Sequence, residues 1–347
     1  MVQQGSGTKI IVAQERTFGN AHSGEYYVLP FVSENLKYKR NALEVKKINT
    51  HRNPNAPVFG SVSVEGDISF ELSWQHRRLL QHVIGKSKRH ATYLNGVLQE
   101  ALLYGGPLPS GLTFEKYYPD IDGGFPYFRY TGCKVNKFKA SFSSEGMIEC
   151  SISILGKAET LDNDSVAAYE TDHGHDPFDG FQATITDRDG NTLGDIVSFE
   201  FEVDNQLTSE YRIGLLGERS EIREGVGKVT GTLTALFNDI TLYENAKNET
   251  GTSIKVVLQR GNGDGTEGNE KFTFRFDEIK LLPEAPTIEG PQGMLVTAPF
   301  ESYYGSYSGE SAVSLTMESQ PLSVDEWESG VDWETYMNWG FTGEELE

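Results

Sequence analysis

Cysteine is nearly absent from this chain: Cys133 and Cys150 are the only two in 347 residues. A disulfide framework is excluded, and so is a zinc site built on cysteine clusters. Long apolar runs are missing as well. No stretch approaches the roughly 18 apolar residues of a membrane span, and KIIVA at 9–13 is too short for the core of a signal peptide. These absences predict a soluble chain made in a reducing cytoplasm, with no membrane partner. Signatures of catalysis are lacking too. There is no G-x-S-x-G, no Walker loop and no cysteine–histidine set suited to nucleophilic attack. Carboxylates abound, but no pair stands out, so the expectation is a protein that is not an enzyme and takes no cofactor.

Three short motifs come near to chemistry and fall short. His173-Gly174-His175-Asp176 has metal-ligand residue types, but it lies in a polar stretch without helical spacing or neighbouring cysteines. Asp187-Arg188-Asp189-Gly190-Asn191 begins like a calcium loop, yet Ser198 stands where the twelfth-position acid belongs, so an Asp-Gly turn explains it better. The glycine-rich run 261–265 follows one strand and leads to another, which denies it the helix N-terminus that a phosphate cradle requires. No metal is expected.

Positive charge is scarce overall and absent from one region. The net charge is −21, from 51 acidic and 30 basic residues. Residues 1–160 hold 19 basic and 14 acidic side chains, or +5, and the remainder holds 11 and 37, or −26. So acidic a chain should not hold nucleic acid through its phosphates, whereas unlike halves favour packing of one half on another. His76, Arg77, Arg78, Lys86, Lys88, Arg89 and His90 form a basic cluster. Arg77, Arg78, Lys86, Lys88 and Arg89 are candidate subunit contacts to the acidic half; a solvated helix face is the plainer reading. The tail after residue 318 has no Lys or Arg and holds Trp327, Trp333 and Trp339, expected as anchors docked on this or a neighbouring subunit.

What the chain does have is alternation. In residues 61–74, Val62, Val64, Ile68, Phe70, Leu72 and Trp74 share one face, while Ser61, Ser63, Glu65, Asp67, Ser69, Glu71 and Ser73 share the other. That pattern predicts a long antiparallel strand, dry on one side and wet on the other. An amphipathic stretch at 78–84 suits a short helix. Gly146 suits a three-residue hairpin loop that sets Ala140 opposite Cys150 and Phe138 opposite Ile152. Cys133 is then expected on the other parity, far from Cys150.

The order of these features returns. Residues 225–237 match 60–72, residues 239–248 take the place of the helix, 253–259 answer 112–118, and 272–282 answer 127–142. Gln292-Gly293-Met294-Leu295-Val296 answers Glu145-Gly146-Met147-Ile148-Glu149. Five matches in one order point to tandem duplication. The expected organisation is all-β: an arm (1–24), a first β-sandwich or barrel domain (25–159), a polar linker (160–177), a second such domain (178–318) and the acidic tail (319–347), each domain with a short flanking helix.

The segment 130–157 (YTGCKVNKFKASFSSEGMIECSISILGK), with VEGDISFEL at 64–72, the strand after Gly194 that leads into Asn205-Gln206-Leu207, and the strand 293–304, resembles tail tube proteins of long-tailed bacteriophages. The resemblance implies β-sandwich or barrel subunits whose sheets join into a continuous inner barrel, with rings stacked into a hollow tube that conducts DNA. It implies as partners further copies of this chain and other tail proteins at the tube ends, and a place in the virion tail. On that view the wet phase faces the lumen: Glu65, Asp67, Ser69 and Glu71 in the first copy, Ser198, Glu200, Glu202 and Asp204 in the second. A carboxylate-rich wall would let DNA slide without specific binding. Three chains of two domains would close a pseudo-sixfold ring; six chains with the second domain outside is the alternative. A two-domain β-sandwich module that binds carbohydrate or a host surface also fits the residues.

Overall fold

A computed structural model describes residues 7–319. Outside the description within that range lie 48–51, 54, 86–89, 95–96, 120, 122–123, 172–173, 175, 194, 216, 237–243, 245–246, 249–250, 264–267, 283–294 and 305–310, and the side chains at 90–100 and 319. The first half carries β1 (Lys9–Gln14), β2 (Glu25–Val28), β3 (Ser33–Glu34), β4 (Lys37–Leu43), β5 (Val58–Glu71), the helix α1 (Arg77–Ile84), β6 (His90–Leu94), β7 (Val97–Leu103), β8 (Leu112–Tyr117), β9 (Tyr127–Ser143), β10 (Glu149–Gly156), β11 (Ala158–Asp162) and β12 (Tyr169–Thr171). The second carries β13 (Ala183–Thr186), β14 (Ile196–Asp204), β15 (Thr208–Tyr211), β16 (Arg219–Arg223), β17 (Lys228–Leu236), β18 (Thr252–Gln259), β19 (Lys271–Leu281), β20 (Leu295–Ser302) and β21 (Ser314–Ser319). The chain is all-β, as its alternation predicts.

The long strand forms as expected, ending at Glu71, with Val62, Val64, Ile68 and Phe70 buried. Gly66 keeps the phase because no side chain fits there: a Cβ would lie 2.4 Å from the Leu36 Cα. Beyond the strand, Trp74 enters the core and stacks on Phe272 at 4.8 Å. The following residues turn into α1, which buries Leu79, Leu80, Val83 and Ile84. The corresponding helix expected at 239–248 lies mostly outside the described residues; within it the Asn248 N–H donates to the Glu244 carbonyl at 2.8 Å.

Each half builds its ladder in the same order. In the first it runs β4–β5–β10–β9–β8–β1. In the second it runs β14–β17–β20–β19–β18–β13. Gly66, opposite Ile154, and Gly231, opposite Phe300, occupy the same place in the two halves. A spacing of 165 also carries Glu65, opposite Lys37, onto Thr230, opposite Glu202, and Ser69, opposite Ser33, onto Thr234, opposite Ser198. The apparent hairpin match at 145–149 and 292–296 is one residue out. Val296 faces Ala235 as Cys150 faces Phe70, so the equivalent of Cys150 is Val296 and not Thr297.

Three expectations need correction. The residues assigned to an N-terminal arm include β1, which is paired on both edges, to β2 and to β8. Its Ile10, Ile11, Val12 and Ala13 are all buried, since a run apolar on both faces suits a strand covered on both sides. The stretch 160–177 is not wholly linker: it completes β11 and supplies β12, which runs parallel to β2. Cys133 is not on the wet parity but fully buried. A bulge shifts the register of β9 against β10, so that Ser153 faces Lys137 and Ile154 faces Val135. Past the extra residue, Asn136, odd positions turn inward. The hairpin register itself, Ala140 with Cys150 and Phe138 with Ile152, is as expected, and both cysteines are free thiols.

The halves share one core. Phe138 and Phe142 of β9 meet Phe201 and Phe199 of β14 at ring separations of 5.8 and 5.6 Å, and those rings reach Phe276 and Phe300 behind them. The same cluster of buried side chains runs from Val64 to Phe300 without a gap between halves.

Candidate functional site: a polar face shared by both halves

The strand that joins the halves decides the geometry of the wet face. β14 lies antiparallel beside β9, with Ser198 opposite Ser143, Glu200 opposite Ser141, Glu202 opposite Lys139 and Asp204 opposite Lys137. The ladder therefore continues through β3 and β4, β5, β10, β9, β14, β17 and β20 as one sheet. Directly paired residues share a face, so Glu65, Asp67, Ser69 and Glu71 stand on the same surface as Ser198, Glu200 and Glu202. Ser151, Ser153, Ser141, Thr230, Thr232 and Thr234 fill the positions between them.

This surface is not a wall of carboxylates. Lys137 and Lys139 project from β9 between the acidic residues, a feature missed because β9 was read for its buried phase alone. The Lys137 ammonium lies 2.8 Å from Glu202 and 2.9 Å from Asp204, and these contacts raise its pKa. Lys139 lies 2.8 Å from Glu200. At the far edge Lys228 lies 3.6 Å from Glu301. Cross-strand ion pairs at such exposed positions contribute little stability, but they cancel charge locally.

The candidate carboxylates differ in what they do. Asp204 is buried, and its carboxylate accepts from the Gln206 N–H at 2.9 Å and the Gln206 side-chain amide at 2.7 Å. It thereby caps a turn that holds Gln206 at φ 50°, in the left-handed region. Asp204 is a structural residue. Glu65 receives the guanidinium of Arg219, whose Nη1 also donates to the Val64 and Gly156 carbonyls at 2.8 and 2.7 Å. The Asp67 carboxylate accepts from the Asn35 amide and from the Ser153 hydroxyl, and the Asp67 N–H donates to the Asn35 side-chain oxygen at 2.7 Å. Glu71 and Glu149 face each other across β5 and β10, and both are exposed. With Ser69, Lys139, Ser141 and Ser151 they line an open depression of about 430 Å³.

Of the candidate subunit contacts, Arg77 and Arg78 are engaged within the chain. Arg77 donates to the Trp74 carbonyl at 3.3 Å and lies over the indole; Arg78 lies 3.5 Å from Glu25 and over Tyr27. Lys86, Lys88, Arg89, Trp327, Trp333 and Trp339 lie outside the described residues. A second basic group was overlooked: Lys37, Lys39, Arg40, Lys46, Lys47 and Arg52, with Glu44 as the one acid among them. The run KYKRNALEVKK was visible in the sequence. It forms the β4–β5 hairpin, which also exposes Leu43, Val58 and Phe59.

The Asp187 turn is a hairpin turn. The Asp187 carboxylate accepts from the backbone of Asp189 and Asn191 and from the Asn191 amide, and Gly190 has φ 89°. His173 and His175 lie outside the described residues, and among the described residues no cluster of metal-ligating side chains occurs. No helix among them is long and apolar enough to cross a membrane.

No curated protein matches the chain significantly. The family model of the phage tail tube protein does match, over residues 5–302, a span that takes in β1 through β20 and with them the whole joined sheet. The chain belongs to the phage tail tube protein family and is a structural component of the virion tail.

Proposed function

We propose that three copies of this chain close into a pseudo-sixfold ring, that rings stack into a hollow tube, and that the shared polar face lines its lumen. The observation that carries this reading is the β9–β14 joint. Inside one chain, the sheet of one half already continues into the sheet of an equivalent half, with one wet face throughout. Repeating that joint between chains extends the same sheet around an axis. Both halves contribute strands to the wet face, which supports three chains and not six with half of each held outside. The halves act as two tube-like units, and their unlike charge favours alternation around the ring.

DNA passing along such a wall meets hydroxyls, carboxylates and lysines already tied to carboxylates. Phosphates then find few cations to displace their counterions, so the strand is repelled or ignored and slides. Glu71 and Glu149 are the sites at which to test this. Glu65→Lys would also break the Arg219 contact, whereas both of these side chains are exposed. The double variant Glu71→Lys/Glu149→Lys should assemble normally while phage carrying it release DNA more slowly, with the delay shrinking at high salt. Unchanged release kinetics in correctly assembled virions would sink the lumen assignment.

A further inference from the structure

The second half sends a hairpin onto the first. β15 and β16 form it, and it seats on β5 where β10 has turned away: Val62 donates its N–H to the Gly217 carbonyl at 2.8 Å, and the Tyr211 hydroxyl donates to the Val62 carbonyl at 3.2 Å. Gly217 sits so close that a Cβ there would lie 2.8 Å from the Gly60 carbonyl and 3.2 Å from the Ser61 Cα. Arg219 pins the contact through Glu65 and two backbone carbonyls.

The 165-residue spacing gives this hairpin a counterpart in the β4–β5 hairpin. Thr208 corresponds to Leu43, Gly217 to Arg52, and Arg223 and Glu224 to Val58 and Phe59. The seat has a counterpart too, since Ser61 and Val62 correspond to Val226 and Gly227. In the chain Leu43, Val58 and Phe59 of the first hairpin and Val226 of that seat are exposed at 51, 55, 64 and 94 %. Where the internal hairpin has Thr208, Arg223 and Glu224, this one offers apolar surface.

We infer that the β4–β5 hairpin of one copy docks on the β17 entry of the next, around Val226, as β15–β16 docks on β5 within the chain. The occupant is a second copy of this chain. Charge agrees: Lys46, Lys47 and Arg52 are brought to residues 178–318, which hold 24 acidic and 11 basic side chains, among them Glu224 and Glu301, each already beside one lysine (Lys134 at 3.0 Å and Lys228 at 3.6 Å). The inference rests on the ring reading, and it names the surface by which chains hold each other.

The test is an engineered crosslink in the full chain, Arg52→Cys with Val226→Cys, oxidised mildly after assembly. Both native cysteines are buried and stay out of reach. The double variant should give covalent dimers and closed trimers on a non-reducing gel, and each single variant only monomers. Tubes that form without linkage would overturn the docking and leave the ring reading standing; Arg52→Cys linking to itself would overturn it as well. Should the variant fail to assemble, zero-length crosslinking of the unaltered protein provides the second measurement. Isotope-mixed tubes should yield links between copies from Lys46 or Lys47 to Glu224 or Glu301. Links from these lysines only to first-half residues, or to DNA, would contradict the docking. Failure of the unaltered chain to form rings at all would instead count against the ring reading.

Discussion

At the residue scale, positions without side chains make room for the side chains of neighbouring strands. Gly231 receives the ring of Phe300, and a Cβ there would meet that ring and the Glu200 carbonyl, each at 2.4 Å. Gly231→Ala should destabilise the chain by about 1–3 kcal/mol, because an overpacked core has nowhere to move. A lower urea midpoint with an unchanged slope would register it. His76 offers a pH test. Its Nδ1 accepts the Ser73 N–H at 3.1 Å, so its Nε2–H donates to the Pro30 carbonyl, and the ring stacks on Phe70. Burial pushes its pKa down to about 4, against about 6.5 in an unfolded chain. Between those values the unfolded chain binds a proton that the folded chain refuses. Stability contributed by the neutral ring is therefore full above about 6.5 and falls as the pH drops toward 4, by up to about 3 kcal/mol. His76→Gln should flatten the dependence of the urea midpoint between pH 7 and 5; an unaltered dependence would assign it to carboxylates instead.

At the element scale, β9 is the member on which the halves depend. Its bulge at Asn136 bends the strand and supplies two acceptors, the backbone carbonyl to the Asn205 N–H and the side-chain oxygen to the Leu207 N–H, both at 2.8 Å. Asn205 in turn donates its amide to the Val83 carbonyl of α1 at 3.2 Å and to the Val135 carbonyl at 3.0 Å. Asn205→Ala leaves both carbonyls buried without that donor. A loss of about 1–3 kcal/mol is expected, read as a lower thermal midpoint. Elements of this kind also mark how far sequence reading reached. Alternation in 61–71 and 137–156 gave strand, face and register, because one buried side with period two admits a single phase. The bulge was not legible, since inserting one residue changes parity without changing composition. Cys133 was misplaced for that reason, and β1 because its run of apolar residues alternates with nothing.

At the scale of the whole molecule, the repeated order of strands was legible, but the β9–β14 joint was not. It pairs residues some 60 positions apart whose patterns suit many partners. The acidic wet face was half seen: Glu200 and Glu202 were named, while the lysines that pair with them belong to a strand in the other half. The basic hairpin was plain in the sequence and passed over beside the cluster at 76–90. The charge contrast, +5 over residues 1–160 against −13 over residues 178–318, implies that assembly weakens at high salt. The most direct test of the account is the mass of a single ring, measured on tubes assembled from the purified chain by electron microscopy with scattering on the same sample. A mass of three chains of 38.6 kDa each around a hollow lumen is the predicted result. Rings of six chains, with the second half on the outer surface, would contradict it.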